Sequence, residues 1–435
     1  MTAASGENIG GGERVLIVGA SHASAQLCAS LRQEGWSGEI QLIGDEPSLP
    51  YHHPPLSKTY LAGKSSLDEL LIRKPDFYEK QEIGFRQGRV TSIDRLADTV
   101  TLADGEVLAY DKLVLCLGAR PRRLTLPGSD LAGVHYLRDA ADIEAIRDGL
   151  ASAGHAVIVG AGYIGLETAA SLRNLGIAVS VLEAADRVLQ RVTAPEVSAF
   201  YDRVHREEGV DLRLNISVSA IEGEGHVQGV RLANGDYIAA DVVIVGIGVV
   251  PNVELAHDAG VTVDNGIVID QHGRTNDPKI FAAGDCANYF DPRYGCRLRL
   301  ESVPSAVEQA KTVAATICGH DKEISALPWF WSDQYDLKLQ TAGLNTGYDE
   351  VVLRGDPETG RDFACFYLNG GRLIAADCVN SARATGRRHL PCHNRPHGIA
   401  DRFAGLAAGR AGGFDRGWRR SDPVARPVCH LPAGG

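Results

Sequence analysis

The fold of this chain is decided by residues 157–165, which read VIVGAGYIG. The apolar start of this segment predicts a buried strand, its glycines predict a tight turn, and the following residues predict a helix over about 163–175. Gly160, Gly162 and Gly165 have the spacing G-x-G-x-x-G. Because glycine has no Cβ, the backbone of such a turn can approach a pyrophosphate closely, and the helix N-terminus attracts its charge. The segment therefore predicts a dinucleotide-binding unit.

An acidic residue, Glu183, ends the next predicted strand and stands 23 positions after Gly160. A carboxylate in this place accepts hydrogen bonds from the adenosine ribose hydroxyls and repels a 2′-phosphate. The unit is therefore predicted to bind NADH in preference to NADPH. Arg187 lies near enough in the sequence to weaken that preference.

A second, less regular turn of the same kind lies near the N-terminus, where residues 15–21 read VLIVGAS. A helix and another strand follow, so this segment also begins a βαβ unit. Gly19 is present, but Ser21 and Ser24 occupy the positions of the second and third glycines, and each adds a Cβ. Asp45 follows Gly19 by 26 residues and is placed to bind a ribose.

Two later segments indicate that the first unit holds a flavin. Residues 275–286, TNDPKIFAAGDC, place Asp285 after a strand and a glycine, where a carboxylate can bind the ribityl chain. Residues 301–306, ESVPSA, then begin a helix with Pro304 at an early position. The N-terminus of such a helix stabilises the anion that forms when a flavin is reduced. Two bound dinucleotides in one chain are most simply explained by electron transfer between them.

Composition excludes several other classes of protein. The net charge of −11 over 435 residues argues against a nucleic-acid partner. No apolar run reaches the roughly 18 residues of a membrane span, and the N-terminus does not have the pattern of a secretory signal, so we expect a cytoplasmic protein. The nine cysteines form no C-x-x-C pair and no metal-ligand spacing, so no metal site is expected. Residues 47–58 contain no cysteine, although flavin disulfide reductases need a redox-active cysteine pair there and flavin peroxidases of related fold need a single cysteine.

The expected fold class is α/β, with two Rossmann-like dinucleotide-binding domains and a small α+β C-terminal domain. The first, FAD-binding domain is expected to be discontinuous, over residues 13–118 and 252–325. The NAD-binding domain is expected over residues 119–251 and the C-terminal domain over residues 326–382. Residues 383–435 hold ten Arg, three Asp and no Lys, a composition that indicates disorder more than an anionic partner.

Several motifs together resemble the FAD-dependent, NADH-using ferredoxin reductases of the glutathione-reductase fold that serve bacterial oxygenases. The resemblance extends over roughly residues 13–380. It is carried by residues 54–58 (PPLSK), 163–167 (YIGLE), 246–252 (GIGVVPN), 284–286 (GDC), 301–303 (ESV) and 328–334 (PWFWSDQ).

The resemblance implies a flavoprotein that takes a hydride from NADH and passes single electrons from FAD to a 2Fe-2S ferredoxin. It implies that Lys58 and Glu167 pair near the flavin N5 and that Trp331, with Trp329 as a second candidate, forms a wall beside the flavin. Neither a nucleophilic side chain nor a metal is required. The implied FAD contacts, beside Gly19, are Ala23, Asp45, Lys58, Val90, Arg138, Asp285 and Val303, and the implied NADH contacts are Gly160, Gly162, Gly165 and Glu183.

The chain departs from the family pattern in two places. His53 precedes the PPLSK motif where the family commonly has arginine, and we expect it to be a packing residue. After Asn380 the sequence leaves the family pattern, which indicates an altered reading frame or a replaced terminus. An acidic ferredoxin needs a local basic surface, for which Arg73, Lys74, Arg297 and Arg299 are candidates.

Three alternative functions remain open at this point. The terminal oxygenase is expected to be a haem-thiolate monooxygenase, but an aromatic-ring dioxygenase is an alternative. A second alternative is an NADH oxidase or peroxidase of the same fold. A third is a redox-gated binding protein resembling apoptosis-inducing factor, which predicts slow turnover with every ferredoxin.

Overall fold

Residues 12–381 and 418–420 are described in a computed structural model of the chain. The chain divides into two compact units, each made of separate segments. Residues 54–64, which the expected boundaries place in the FAD-binding domain, have their contacts in the second unit. The first unit comprises the chain up to His53, Ser65–Arg120 and Val249–Ala326, and the second comprises Pro54–Lys64, Pro121–Gly248 and the chain from Leu327.

The first unit is built on a five-stranded parallel sheet. Its central strand, Arg14–Val18, has parallel neighbours on both sides, which explains why its residues are almost all apolar and buried. The helix His22–Gln33 connects this strand to the next one, as the first glycine turn predicts. In spatial order the strands are Ile280–Ala282, Lys112–Leu115, Arg14–Val18, Glu39–Gly44 and Ile83–Gln87.

The core of this unit is formed on one face of the sheet by two helices, His22–Gln33 and Val303–Ile317. Leu27 and Leu31 of the first helix lie in the same buried cluster as Val313 of the second. Three short helices span Leu67–Leu70, Pro75–Lys80 and Glu254–Asp258. Two three-stranded sheets are formed, one by Val90–Asp94, Thr99–Leu102 and Val107–Ala109 and the other by Ile267–Ile269, Ala287–Asp291 and Cys296–Leu298. A two-stranded sheet pairs Ala119–Pro121 with Val249–Pro251.

The second unit repeats the five-stranded parallel plan, so the prediction of two Rossmann-type units is confirmed. The strand His155–Val159 is central and leads into the helix Tyr163–Asn174. In spatial order, the strands of this parallel sheet are Asp211–Arg213, Ala178–Leu182, His155–Val159, Val242–Val245 and Val134–Tyr136. A separate antiparallel sheet comprises Val218–Glu222, Gly229–Leu232 and Tyr237–Ala239. The other helices described in this unit are Ala140–Leu150, Pro195–Glu207 and the π-helix Leu56–Tyr60.

A six-stranded antiparallel sheet completes the second unit. Between residues 327 and 381 the chain forms strands and turns and no helix. The expectations for residues 383–435 lie outside the described residues, apart from the strand at 418–420. No helix among the described residues is both long and apolar enough to cross a membrane. In spatial order the strands are Trp329–Gln334, Leu337–Gly343, Arg372–Val379, Phe363–Asn369, Glu350–Gly355 and Trp418–Arg420.

Candidate cofactor and active site

The three glycines of the second unit's turn have different structural roles. Gly160 has φ +106°, and a Cβ on it would lie 2.4 Å from the Gly246 carbonyl oxygen. A Cβ on Gly165 would lie 2.2 Å from the Gly160 carbonyl oxygen, so these two glycines are required by the packing of the turn. A Cβ on Gly162 would meet no atom within 4 Å. The turn therefore leaves open space in front of the helix, where the backbone of a dinucleotide site approaches the pyrophosphate.

Glu183 is held at this turn by two backbone donors. Its Oε2 accepts from the Ala161 N–H at 2.7 Å and its Oε1 from the Ala185 N–H at 2.9 Å. The first of these donors lies between the glycines of the turn. Since each carboxylate oxygen has a further lone pair, the side chain can also accept from ribose hydroxyls. Glu183 thus lies at the glycine turn, as the sequence predicts.

Arg187 is engaged by its own loop. Its guanidinium donates to the Thr193 carbonyl at 2.9 Å, the Ser198 hydroxyl at 2.6 Å and the Gln190 carbonyl at 2.8 Å. These three bonds fix the segment between the strand and the helix Pro195–Glu207. A guanidinium used in this way is not available to a 2′-phosphate, so the geometry favours NADH.

The turn of the first unit is closed differently. Gly19 has φ +104°, and a Cβ on it would lie 2.1 Å from the Cys116 carbonyl oxygen. Ser24 occupies the position of the third glycine, and its hydroxyl accepts from the Ser21 N–H at 2.8 Å and donates to the Ser21 carbonyl at 2.9 Å. The buried Ser24 hydroxyl therefore completes the turn.

Two segments that each carry an acidic residue approach the Gly19 turn. A Cβ on the residue before Asp45 would lie 2.5 Å from the Ala20 Cβ, so Asp45 follows a backbone that contacts the turn. A Cβ on the residue before Asp285 would lie 3.3 Å from the Ala23 Cβ. The structure thus brings the three segments around Gly19, Asp45 and Asp285 together, as an FAD site requires.

The other residues expected to contact FAD are divided between the units. Val90 begins a strand of the first unit next to Arg89, whose guanidinium lies 3.5 Å from Asp45 Oδ2. Val303 begins the helix that packs on the helix His22–Gln33. Lys58 and Arg138 belong to the second unit.

The N-termini of three helices are free of negative charge. The helices beginning at His22, Tyr163 and Val303 have no acidic residue in their first turn. The other five α-helices in the described part of the chain each have at least one there. Since Asp and Glu normally stabilise a helix N-terminus, their absence at these three positions fits helices that face a phosphate or a flavin anion.

Lys58 and Glu167 form a buried ion pair within the second unit. The Lys58 ammonium donates to Glu167 Oε2 at 2.6 Å and to the Pro54 carbonyl at 3.1 Å. Glu167 Oε2 also accepts from the Ser57 hydroxyl at 2.8 Å, and its Oε1 accepts from the Ser332 hydroxyl at 2.6 Å. The Glu167 carboxylate is therefore enclosed and bound by three donors.

The position of Lys58 is set by the π-helix Leu56–Tyr60, where the Tyr60 and Leu61 N–H groups donate to carbonyls five residues earlier. The Ser171 hydroxyl donates to a carbonyl of this π-helix at 2.6 Å, and the Tyr60 hydroxyl donates to Glu144 at 3.0 Å. Single π-helical turns are frequent at functional sites.

The indoles of Trp329 and Trp331 are stacked, with ring centroids 5.1 Å apart and planes at 25°. Both residues lie on the strand Trp329–Gln334 and are half-buried. The phenol ring of Tyr163 contacts Phe330 of the same strand, with ring centroids 4.6 Å apart. The strand therefore packs on the helix that begins at the glycine turn.

Sequence reasoning missed the two hydroxyls that bind Glu167. Ser57 and Ser332 are 110 and 165 residues away from Glu167 in the chain. The signal available for Ser332 was the alternation of its strand, where the polar residues Ser332 and Gln334 occupy one face.

Two of the arginines expected to form a basic surface for a ferredoxin are bonded within the protein. Arg299 pairs with Glu301 at 2.7 Å, and Arg297 donates to two backbone carbonyls. Among the described residues no group of His, Cys, Asp and Glu has the arrangement of a metal site.

Comparison with known families agrees with this arrangement. Residues 13–310 match the family described as pyridine nucleotide-disulphide oxidoreductase, and residues 329–394 match the family described as reductase C-terminal. The chain belongs to the pyridine nucleotide-disulphide oxidoreductase family. As a member, it is an FAD-dependent oxidoreductase that uses NADH, so the cofactor predictions are confirmed.

Individual relatives of this family member are ferredoxin reductases. Putidaredoxin reductase of Pseudomonas putida is 46% identical over 375 residues, which cover 85% of this chain and 89% of the relative. The covalent complex of putidaredoxin reductase with putidaredoxin matches with a TM-score of 0.82, over 85% of this chain and 90% of the reductase. The crystal structure of the ferredoxin reductase for the CYP199A2 system of Rhodopseudomonas palustris matches with a TM-score of 0.84 at 42% identity, over 91% of this chain and 100% of that chain.

A relative from a dioxygenase system also matches this chain. The ferredoxin–NAD⁺ reductase component of the anthranilate 1,2-dioxygenase system of Burkholderia cepacia is 43% identical over 402 residues, which cover 90% of this chain and 98% of the relative. A water-forming NADH oxidase of Lactobacillus brevis is 22% identical with a TM-score of 0.76, a similarity of fold alone. The enzyme class predicted from the sequence, an FAD-dependent NADH:ferredoxin reductase, is confirmed.

Proposed function

We propose that this chain carries electrons from NADH through FAD to a 2Fe-2S ferredoxin that serves a bacterial haem-thiolate monooxygenase. The observation that carries the proposal is the similarity to putidaredoxin reductase, which is 46% identical over 85% of this chain. The similarity to the reductase of the CYP199A2 system supports the type of oxygenase. When bound, FAD supplies the conversion between the two-electron donor NADH and a one-electron acceptor.

Within this proposal, residues of the first unit hold FAD. The helix N-terminus after Gly19, which has no acidic residue in its first turn, binds the pyrophosphate of FAD, and Asp45 accepts from the ribose. Asp285 accepts from the ribityl hydroxyls, and the helix beginning at Val303 directs its positive end toward the flavin ring. Ala23 and Val90 contribute packing, and Arg138 is assigned a contact by the family resemblance.

Residues of the second unit orient NADH and set the charge at the reaction centre. The space beside Gly162 admits the pyrophosphate, and Glu183 selects the unphosphorylated ribose. The Lys58 ammonium is held by Glu167 and stabilises negative charge that develops on hydride transfer. Trp331, backed by Trp329, shields the flavin. These residue roles rest on the family resemblance and on the contacts within each unit.

Rapid mixing of the FAD-loaded enzyme with NADH, followed by cytochrome c reduction with and without a 2Fe-2S ferredoxin, tests the proposal. We expect cytochrome c reduction to depend on ferredoxin and oxygen consumption to be slow. Rapid oxygen consumption unaffected by ferredoxin would show an NADH oxidase. Slow turnover with every ferredoxin, together with a stable charge-transfer complex with NADH, would favour a redox-gated binding protein.

A second candidate function is the reductase component of an aromatic-ring dioxygenase. It is favoured by the similarity to the anthranilate dioxygenase reductase, which extends over 402 residues. Reconstitution with a ferredoxin and either a haem-thiolate monooxygenase or a ring-hydroxylating dioxygenase distinguishes the two, since only the natural combination couples NADH consumption to product.

We also propose that the enzyme works in the cytoplasm. All seven cysteines in the described part of the chain are free thiols, which fits a reducing compartment. Burial raises the pKa of Cys28 to about 12 and that of Cys286 to about 11, so neither is a reactive thiolate at neutral pH. Fractionation of the producing cells tests this location.

A further inference from the structure

A continuous chain of hydrogen bonds ends on Glu167. Within it, we propose that Ser332, Gln334 and His205 are positioning residues that fix the Glu167 carboxylate and, through it, the Lys58 ammonium. This inference rests on the role proposed above for Lys58 and Glu167.

This chain of hydrogen bonds runs through the interior of the second unit. The Ser332 hydroxyl donates to Glu167 Oε1 at 2.6 Å, and the Gln334 amide nitrogen donates to the Ser332 oxygen at 3.2 Å. Gln334 Oε1 lies 2.8 Å from His205 Nε2, and His205 Nδ1 lies 3.2 Å from the Tyr335 hydroxyl. Glu167, Ser332, Gln334 and His205 are all buried, so these groups bond to one another in place of water.

The direction of every bond follows from the carboxylate. Because an ionised carboxylate only accepts, Ser332 must donate to it and use a lone pair for the Gln334 amide N–H. The oxygen of the same amide then faces His205, which must donate from Nε2. The Nδ1 of a neutral imidazole accepts, so the Tyr335 hydroxyl donates to it. All four hydrogen-bond dipoles therefore point toward Glu167 and strengthen one another.

The neutral state of His205 agrees with this direction. Burial lowers the pKa of the imidazole to about 4, and the Gln334 hydrogen bond offsets only part of that shift. A neutral ring in a single tautomer transmits orientation without adding a charge. The residue therefore acts on Glu167 through hydrogen bonds.

One strand connects this chain to the indoles. In the strand Trp329–Gln334, Ser332 and Gln334 occupy the buried face, and Trp331 occupies the opposite face by alternation. The strand lies at the edge of its sheet, where it pairs on one side only. The hydrogen bonds on its buried face therefore supply a second attachment for a strand that carries both Ser332 and Trp331.

Reduction of the FAD-loaded enzyme by NADH in single-turnover mixing, over a range of NADH concentrations, tests the proposal. For Ser332→Ala we expect the limiting rate of flavin reduction to fall about tenfold, since a hydrogen bond to a charged group is lost. The NADH concentration for half-saturation should stay within about twofold, because the nucleotide contacts are retained. Ser332→Thr keeps the hydroxyl and should restore most of the rate.

Two further variants separate positioning from packing. Gln334→Leu interrupts the chain one step farther from Glu167 and should slow reduction less than Ser332→Ala does. Thr168→Val is the matched control, because the buried Thr168 hydroxyl bonds only to the Ile164 carbonyl of its own helix, next to Glu167. It should leave the limiting rate within about twofold. Equal losses in the control and in Ser332→Ala would overturn the proposal.

A double-mutant cycle shows whether Ser332 acts through Glu167. In a Glu167→Gln background, Ser332→Ala should cause no further loss, whereas additive losses would contradict the inference. If Lys58→Met and Glu167→Gln both reduce as fast as the parent enzyme, the role proposed for the ion pair is itself wrong. If those two are slow while Ser332→Ala and Gln334→Leu are not, only the positioning role fails.

Discussion

Replacing single glycines of the second turn should separate nucleotide binding from folding. In Gly165→Ala the new Cβ would lie 2.2 Å from the Gly160 carbonyl oxygen, whereas ordinary contact begins at 3.4 Å. Helix and turn must therefore move apart by about 1 Å, which costs about 3 kcal/mol, at the upper end of the usual range for overpacking. For a unit of about 250 residues, that loss lowers the unfolding midpoint by about 6 to 12 °C.

Gly162→Ala should behave in the opposite way. The residue has φ −78° and ψ −179°, which alanine adopts readily, and the Cβ would meet no atom within 4 Å. Alanine loses less entropy on folding, by about 0.4 to 1 kcal/mol, but it is a poorer N-cap than glycine, so the two effects nearly cancel. The unfolding midpoint should change by less than about 2 °C.

The same Cβ would occupy the space into which the pyrophosphate must fit. We expect the NADH concentration for half-saturation to rise about tenfold, a loss of about 1.4 kcal/mol, while the limiting rate of reduction changes little. Thermal unfolding and single-turnover reduction of the two FAD-loaded variants test this contrast. Unchanged NADH saturation in Gly162→Ala, or a parental unfolding midpoint in Gly165→Ala, would refute the assignment of roles to these glycines.

Three other predictions concern nucleotide choice and stability. Glu183→Ala should raise the ratio of kcat/KM for NADPH over NADH about tenfold, whereas Arg187→Leu should leave that ratio unchanged; a change with Arg187→Leu alone would contradict the structure. Burial raises the pKa of the Asp377 carboxyl to about 6, above its ordinary value of 3.8. Between about pH 4 and 6 the folded state therefore keeps a proton on this carboxyl that the unfolded state has lost, so stability falls as the pH rises through this range. Asp377→Asn should flatten this part of a plot of unfolding midpoint against pH. Arg293→Ala should cost about 3 to 5 kcal/mol in denaturant unfolding, because it leaves the buried Asp291 carboxylate, 1% exposed, without its cation; a loss below 1 kcal/mol would contradict the pairing.

The parts of the molecule that the sequence predicts well are those specified by local chemistry. The strand, turn and helix around Gly160 follow from apolar periodicity and from the absence of a Cβ at three positions. Both parallel sheets follow from repeating this pattern. The helix expected over about 163–175 ends at Asn174, one residue earlier, since end residues have few hydrogen bonds to define them.

Long-range contacts were harder to predict. The π-helix Leu56–Tyr60 contacts the rest of the second unit through Ser57 and Lys58. The family resemblance implied the contact of Lys58 with Glu167, but no local pattern indicated that of Ser57. The sequence showed Ser24 as a Cβ at a glycine position, whereas its hydroxyl bonds to the backbone of the turn itself. For Arg187, proximity to Glu183 in the sequence indicated a weaker preference for NADH over NADPH, whereas its three hydrogen bonds are to its own loop and to Ser198 of the following helix.

The position of the Lys58–Glu167 pair depends on tertiary contacts between segments that are distant in the chain. Removing a buried charge's partner costs several kcal/mol, so the pair persists only where enough donors surround it. Here the donors come from the π-helix and from the strand Trp329–Gln334, which are separated by more than 260 residues and bind the same carboxylate. Because these two elements and the helix Tyr163–Asn174, which carries Glu167, all belong to the second unit, the position of the ammonium is determined within that unit. A substitution of Ser332 in the C-terminal sheet is therefore expected to change the position of the Lys58 ammonium through Glu167.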